Sequence, residues 1–239
     1  MNLIYSFGSG LGRFCFGVLG RLDVTGRESV PPFGPVILIA NHLSNNDPPV
    51  LIATINRRLN FIGKQELFGN PLNRFVLKKF GVHPFDRSGR AVDIIKLSLR
   101  LLAQDKPIVM FPEGTRSPDH SLHKGLPGAA YIAMKSQAII LPVGIAGTEK
   151  FSSRRMMFPF ARIAVNIGQP FTLPLIEGRP SHEVLQSMVD MMMSRIAMLL
   201  PEKYRGVYAL PGSVHPQDGA SGASKQDSAQ DGAKETVAS

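Results

Sequence analysis

The feature that most constrains this chain is an alternation. Between residues 21 and 200, short apolar runs take turns with longer stretches of helical period. Val36–Ala40 and residues 108–111, 138–145 and 162–167 read as strands, and Arg21–Thr25 as a shorter one turned by Gly26. Residues 48–59 and 71–80 read as helices with Pro near the start. In residues 91–103, Ala91, Ile94, Ile95, Leu99 and Leu102 share a face, and Asp93, Lys96 and Arg100 lie off it. Residues 128–136 read as another helix. The longest is 182–200, with Leu185, Met188, Val189, Met192, Ile196 and Leu199 on one stripe and Ser181 as its cap. Its Met run, 191–193, reads as adaptable core. Apolar strands interleaved with helices must be covered on both faces. The fold expected is therefore α/β, a single domain with a mostly parallel central sheet flanked by helices. Ligands of such sheets sit where carboxyl ends of strands pass into loops. Two loops qualify: the one after Val36–Ala40 and the one after 108–111.

The two ends of the chain differ from this body. In residues 1–20, Leu3, Ile4, Phe7, Leu11, Phe14, Val18 and Leu19 fall near one helical stripe, while Gly8, Gly10, Gly12, Gly17 and Gly20 lower its helicity. The pattern fits two arrangements equally: a segment in a membrane interface with Arg13 among headgroups, or a helix packed on the domain. No apolar run reaches the roughly 18–20 residues of a membrane-spanning helix, and the start does not read as a signal peptide. Beyond Leu210 the composition falls to Gly, Ser, Ala, Gln and Asp, too polar to offset its ordering entropy, and reads as disordered.

Charge narrows the partners. The chain has 27 Lys and Arg against 18 Asp and Glu. Residues 212–239 hold two of the basic and four of the acidic side chains, so the body keeps 25 against 14, a net of +11. Such a body is drawn to polyanions: nucleic acid, anionic lipid, or phosphate-bearing substrates and carriers. The single cysteine, Cys15, allows no internal disulfide, which fits a reducing compartment.

The first loop reads Asn41-His42-Leu43-Ser44-Asn45-Asn46-Asp47-Pro48. A histidine just past a buried strand, with a carboxylate five residues on, can form a base and its orienting partner. On spacing alone the more ordinary reading is a satisfied ring and an Asp capping the helix at Pro48. The second loop reads Phe111-Pro112-Glu113-Gly114-Thr115-Arg116-Ser117. Its Gly permits close backbone approach, and its Arg offers a fork suited to phosphate oxygens. Glu113 could accept from a substrate hydroxyl or orient Arg116. A surface turn with a local Glu–Arg pair is as good a reading of that loop by itself. Lys64 and Arg87 lie between the two loops, each ordinary surface charge in isolation.

The order of these blocks resembles the glycerolipid acyltransferase family, which includes bacterial 1-acylglycerol-3-phosphate acyltransferases. His42 and Asp47 match its His-x4-Asp pair, and Lys64-Gln65-Glu66-Leu67 resembles its Lys-x-Glu-Leu segment. Arg87 falls at its second motif's arginine, residues 111–117 match its third motif, and Ile140-Leu141-Pro142-Val143 resembles its fourth. Two departures, His83-Pro84-Phe85 ahead of Asp86-Arg87 and Asn45-Asn46 ahead of Asp47, leave the pair intact. The resemblance covers about residues 20–168.

With it, residues 21–211 are expected to form an acyltransferase domain; outside the resemblance, 1–20 is expected as an amphipathic membrane-interface segment and 212–239, from its composition, as a disordered tail. The resemblance implies His42 as general base and Asp47 as its partner, with Lys64, Arg87, Glu113, Gly114, Thr115 and Arg116 around a substrate phosphate. The donor would be acyl-CoA or acyl-carrier protein and the acceptor a lysophospholipid. No cofactor or metal would be required. The protein would work on an anionic membrane surface, at the cytoplasmic face, as a peripheral or monotopic protein. Three rivals compete. A serine lipid hydrolase lacks its Gly-x-Ser-x-Gly elbow here. A nucleic-acid module lacks zinc-ligand spacing, a ribonucleoprotein signature and any Trp. A non-catalytic lipid-binding protein would have no need of both His42 and Asp47.

Overall fold

Val36–Ala40 (β2) is buried at all five positions, and its successive side chains serve opposite faces of one sheet. Ile37 and Ile39 join a cluster with Ile108, Ile140, Leu101, Val189 and Ile196, whereas Val36, Leu38 and Ala40 join another with Val50, Leu51, Leu141 and Val143. A strand of this kind lies mid-sheet under helices on both sides. The computed structural model describes residues 3–19, 21–85, 91–150 and 162–209, all within one compact unit, Met1–Ala209.

The other strands are Arg21–Thr25 (β1), Asn60–Lys64 (β3), Val82–Phe85 (β4), Ile108–Met110 (β5), Ile139–Ala146 (β6) and Arg162–Ile167 (β7). They form one seven-stranded sheet in the order β1-β7-β6-β2-β5-β3-β4. All neighbours are parallel except β6 and β7. Strands β2 to β6 therefore point one way and end on a common edge. The helices are Leu3–Phe14 (α1), Asp47–Thr54 (α2), Pro71–Lys79 (α3), Ala91–Leu102 (α4), Pro127–Ser136 (α5) and His182–Ala197 (α6). Side chains of α1 and α2 supply one core cluster, and those of α4, α5 and α6 the other. The expected α/β architecture with its mostly parallel sheet is the one observed.

Several local expectations differ. Strands β3 and β4 were not anticipated. Asn60-Phe61-Ile62-Gly63-Lys64 carries a Gly and fades from buried to exposed along its length, and β4 contains Pro84. A Pro is tolerated there because β4 is an edge strand with one side of its ladder unpaired. The helix expected over 48–59 stops at Thr54, where Ile55 turns to extended backbone and the chain must enter β3. The last helix ends at Ala197 rather than at 200, ahead of Pro201. Ser181 caps it as expected, accepting from the Val184 N–H at 3.3 Å. Met192 and Met193 are fully buried, but Met191 is exposed. The tail expected over 212–239 lies outside the described residues.

Helix α1 combines features of the two arrangements its sequence allowed. Tyr5, Ser9 and Arg13, spaced one turn apart, turn inward. The Ser9 hydroxyl donates to Ile52 O at 3.0 Å, Arg13 Nε to Ala53 O at 2.7 Å, and the Tyr5 hydroxyl to Arg57 O at 3.2 Å. The last carbonyls of a helix have no partner within it, so α1 supplies donors to the end of α2. With the polar stripe turned inward, Leu3 is left 87% exposed and Phe7 72%, and Ile4, Leu11 and Phe14 are also exposed. Among the described residues no helix is long and apolar enough to cross a membrane.

Gly147, at the end of β6, has φ +91°, and a Cβ there would sit 2.1 Å from Arg162 O. Gly147→Ala should lower stability by about 2–3 kcal/mol. Gly10 lies in α1 with nothing within 4 Å of such a Cβ, and Gly10→Ala should raise stability by roughly 0.5–1 kcal/mol. Urea unfolding midpoints measure both.

Candidate active site

Strands β6, β2 and β5 are neighbours and parallel, and each delivers a loop to the same place. The loop after β2 carries His42 and runs into α2 at Asp47. The loop after β5 carries residues 111–117, and that after β6 carries Thr148.

Asp47 is fully buried. A carboxylate so placed is costly unless its oxygens are filled, and here they are. Oδ2 accepts from the Leu43 N–H at 2.7 Å and the Ser44 N–H at 2.8 Å, and lies 2.7 Å from His42 Nδ1. Oδ1 accepts a short hydrogen bond from the Thr148 hydroxyl. An oxygen already accepting two N–H groups meets the ring as a third acceptor contact, so Nδ1 carries the hydrogen and Nε2 holds the free lone pair. No described residue makes a hydrogen bond to Nε2, and the His42 side chain keeps 17% of its surface exposed. Phe111 stacks on the imidazole at 4.0 Å between centroids and 15° between planes, fixing its tilt.

Glu113 has a different position from the one its sequence suggested. It is buried, its Oε1 accepts from the His42 N–H at 3.2 Å, and its Oε2 accepts from the His123 N–H at 3.0 Å. Both oxygens are engaged by backbone N–H groups, so the carboxylate ties the β5 loop to the histidine loop and makes no ion pair with Arg116. Burial pushes its carboxyl pKa up, opposed by the hydrogen bonds from His123 and His42. The Ser117 N–H adds a bond to His42 O at 2.9 Å, so residues on either side of Arg116 brace the histidine loop.

Gly114 closes a turn, its N–H donating to Phe111 O at 2.9 Å. Its φ is +72°, and a Cβ would meet Leu126 Cδ1 at 2.5 Å, so the position requires glycine. Gly114, Thr115 and Arg116 are exposed, and Arg116 makes no ion pair or hydrogen bond among the described residues. Lys64 is also exposed, at the carboxyl end of β3 on the same sheet edge. Arg87 lies outside the described residues. Just beyond the 111–117 loop, burial pushes the Asp119 carboxyl up. Bonds from the Ser121 N–H, Ser117, His123 and Ser121 outweigh that and hold it well below the usual carboxylate range.

Sequence reasoning missed Thr148, which stands 101 positions from Asp47, and Asn41. The Asn41 amide donates to Ile145 O and accepts from the Ile145 N–H, both at 2.8 Å, locking β2 to β6 beside the histidine. The available signal for Thr148 was indirect: a buried Asp needs donors, and Gly147-Thr148 follows the third apolar strand.

With this geometry in view, comparison with known proteins is informative. Residues 21–146 match the family model described as Acyltransferase. The chain belongs to the acyltransferase family. The 1-acyl-sn-glycerol-3-phosphate acyltransferase of Bacillus subtilis is 27% identical over 198 residues, 82% of this chain and 96% of that protein. A probable 1-acyl-sn-glycerol-3-phosphate acyltransferase of Mycoplasma genitalium is 33% identical over 138 residues, 55% of this chain and 51% of that one. A chloroplast 1-acyl-sn-glycerol-3-phosphate acyltransferase of Arabidopsis thaliana is 30% identical over 133 residues, 54% of this chain but 37% of its own length. The crystal structure of the 1-acyl-sn-glycerophosphate acyltransferase of Thermotoga maritima superimposes with a TM-score of 0.64. It is 27% identical, and the match covers 78% of this chain and 75% of that one. The family match takes in β1 to β6, and so every loop that meets at His42 except the one carrying Thr148.

The two loop residues should separate by stability. Glu113→Ala leaves two backbone N–H groups without an acceptor and should cost about 2–4 kcal/mol, whereas Arg116→Ala should stay within about 0.5 kcal/mol. Urea denaturation of the two variants checks this.

Proposed function

We propose that this acyltransferase moves a fatty acyl chain from a thioester, acyl-CoA or acyl-carrier protein, onto the free hydroxyl of 1-acylglycerol 3-phosphate, giving phosphatidic acid. The observation that carries the reading is the ring of His42, held through Nδ1 on the buried Asp47 with Nε2 unpartnered among the described residues, on a loop tied at Glu113 and Ser117 to the segment that carries the exposed, unpaired Arg116. The relatives' names point to the same acceptor.

In this mechanism Nε2 takes the proton of the acceptor hydroxyl as its oxygen attacks the thioester carbon. The carbonyl becomes a tetrahedral oxyanion. Its collapse breaks the carbon–sulfur bond, and the departing thiolate takes the proton back from the imidazolium. An ester and a free thiol result, with His42 restored. Asp47 holds the tautomer and balances the transient imidazolium charge, and Thr148 and two backbone N–H groups hold Asp47. Arg116 and Lys64, with Arg87, bind the acceptor phosphate and present its hydroxyl. Glu113 positions His42. Every proton in this sequence passes between His42 and the substrates, so the reaction needs no cofactor or metal.

The outward apolar face of α1 gives the protein a seat on a membrane at the cytoplasmic face, where its acceptor resides, as a peripheral or monotopic protein. The basic body draws it to anionic lipid and to acidic acyl donors, and nucleic acid has no part in this function.

His42→Ala should abolish transfer to lysophosphatidate, a loss of at least about a thousandfold in kcat, in a protein that still folds, with a urea midpoint lowered by the loss of one donor to the buried Asp47. Transfer at the wild-type rate by a folded His42→Ala protein would overturn the mechanism. Arg116→Ala should raise the KM for lysophosphatidate about tenfold and leave the donor's KM nearly unchanged. A change confined to the donor would move Arg116 to the other substrate.

A further inference from the structure

At the edge of the sheet opposite His42 lies a second feature that acyl transfer does not use. Strands β3, β4 and β5 are parallel neighbours, so the residues just before them gather at one end. There Arg57, Arg58, Lys78 and Lys106 line a cavity of about 440 Å³ with His83 and Asp105. This volume is in the range of small-ligand sites.

The charges are unbalanced. Four cations share the cavity with one carboxylate. Arg57 is committed to the main chain, its guanidinium donating to Pro31 O at 3.0 Å and Gly34 O at 2.8 Å. Lys106 donates to Gln104 Oε1 at 2.7 Å. Among the described residues Arg58, Lys78 and Lys106 make no ion pair, and Arg58 and Lys106 are exposed. Burial pushes the His83 imidazole pKa down, and the positive charges of Lys106 and Arg58 push it further. The arrangement is thus self-repelling until an anion enters.

Its surroundings indicate the anion. Arg58 lies over the Tyr5 ring, 5.9 Å from its centroid, and Tyr5 belongs to α1, whose Leu3, Ile4 and Phe7 face outward. Lys78 belongs to α3, where Leu72 is 69% exposed and Phe75 54%, and where no residue is buried. The cationic cavity is therefore bordered by two helices that present apolar side chains to the outside. A ligand matching both would carry phosphate charge and hydrocarbon chains together.

We propose that this cavity binds the phosphate-bearing headgroup of an anionic membrane phospholipid, fixing the protein on the bilayer through a site separate from its active site. The proposal rests on the reading that α1 lies on a membrane.

The test uses sedimentation of the full chain with vesicles of phosphatidylcholine, with and without a minority of phosphatidylglycerol. The double variant Arg58→Gln, Lys106→Gln should bind the anionic vesicles roughly thirtyfold more weakly and the neutral ones as the wild type does. Acyl transfer in neutral detergent micelles should be unchanged. Arg58→Lys, Lys106→Arg should restore binding. A control pair on α4 and α5, Lys96→Gln and Lys135→Gln, removes the same charge elsewhere and should cost no more than about threefold. An equal loss in the control would reduce the site to general basic charge and overturn the proposal, as would unaltered binding by the Arg58, Lys106 pair. Thermal stabilisation of the wild type by inorganic phosphate, with vesicle binding untouched by the variants, would assign the cavity to a soluble anion instead. Loss of binding to acyl-carrier protein, with vesicle binding kept, would assign it to the donor; both outcomes sink the lipid site. Wild-type protein that binds neither vesicle would overturn the membrane reading of α1 as well, whereas failure of the variants alone leaves that reading standing.

Discussion

One buried carboxylate organises the functional end of this protein. Asp47 sits at the first turn of α2 with no solvent contact, and four donors converge on it: the ring of His42, the main chain of Leu43 and Ser44, and the Thr148 hydroxyl. Placing a carboxylate there costs several kcal/mol unless every lone pair is used. The chain meets that demand by bending the 42–46 segment tightly over the helix start and by bringing the end of β6 alongside. The positive end of α2 adds favourable field. The contact that fixes the histidine tautomer is therefore also the contact that fixes the loop, and removing Asp47 would disturb both.

Around this point the sheet acts as a jig. Because β6, β2 and β5 are adjacent and parallel, three loops distant in sequence arrive together without any long connection having to fold over the site. Glu113 and Ser117 then tie the β5 loop to the main chain of His42. The exposed stretch between them, Gly114 to Arg116, is held at its ends and free at its tip. That arrangement suits a segment meant to meet a ligand: the anchors are buried and satisfied, while the guanidinium of Arg116 is left to the solvent side.

Much of this was legible in the residues, and the parts that were not share a cause. The central strands announced themselves because burial on both faces demands continuous apolar runs, as in Val36–Ala40. The edge region did not, since β3 and β4 are covered less completely and tolerate Gly63 and Pro84. His42 and Asp47 could be paired because they are five residues apart, with the resemblance of residues 111–117 to a family motif giving the pair a role. Thr148 could not be found by local spacing, because what brings it to Asp47 is sheet order. The burial of Glu113 was hidden for a related reason. A charged residue in a short loop reads as surface, and only the position of the His42 and His123 N–H groups shows that it is needed inside.

The orientation of α1 follows from the same kind of demand. A helix with an apolar stripe normally turns that stripe to the core, and on that rule α1 should bury Leu3, Phe7 and Leu11. It does the reverse because the short helix α2 ends against it with unpartnered carbonyls. Ile52 O and Ala53 O need donors, and the only side chains of α1 able to donate there are on its polar stripe. Arg13 also places positive charge at the negative end of α2. Satisfying these groups decides which way α1 faces, and the apolar stripe is left outside as a consequence. Exposed Leu and Phe in such density are costly in water and favourable in a lipid interface. The hydrogen bonds of one helix end thus explain how a chain with no membrane-length helix among its described residues comes to carry an outward apolar face on α1.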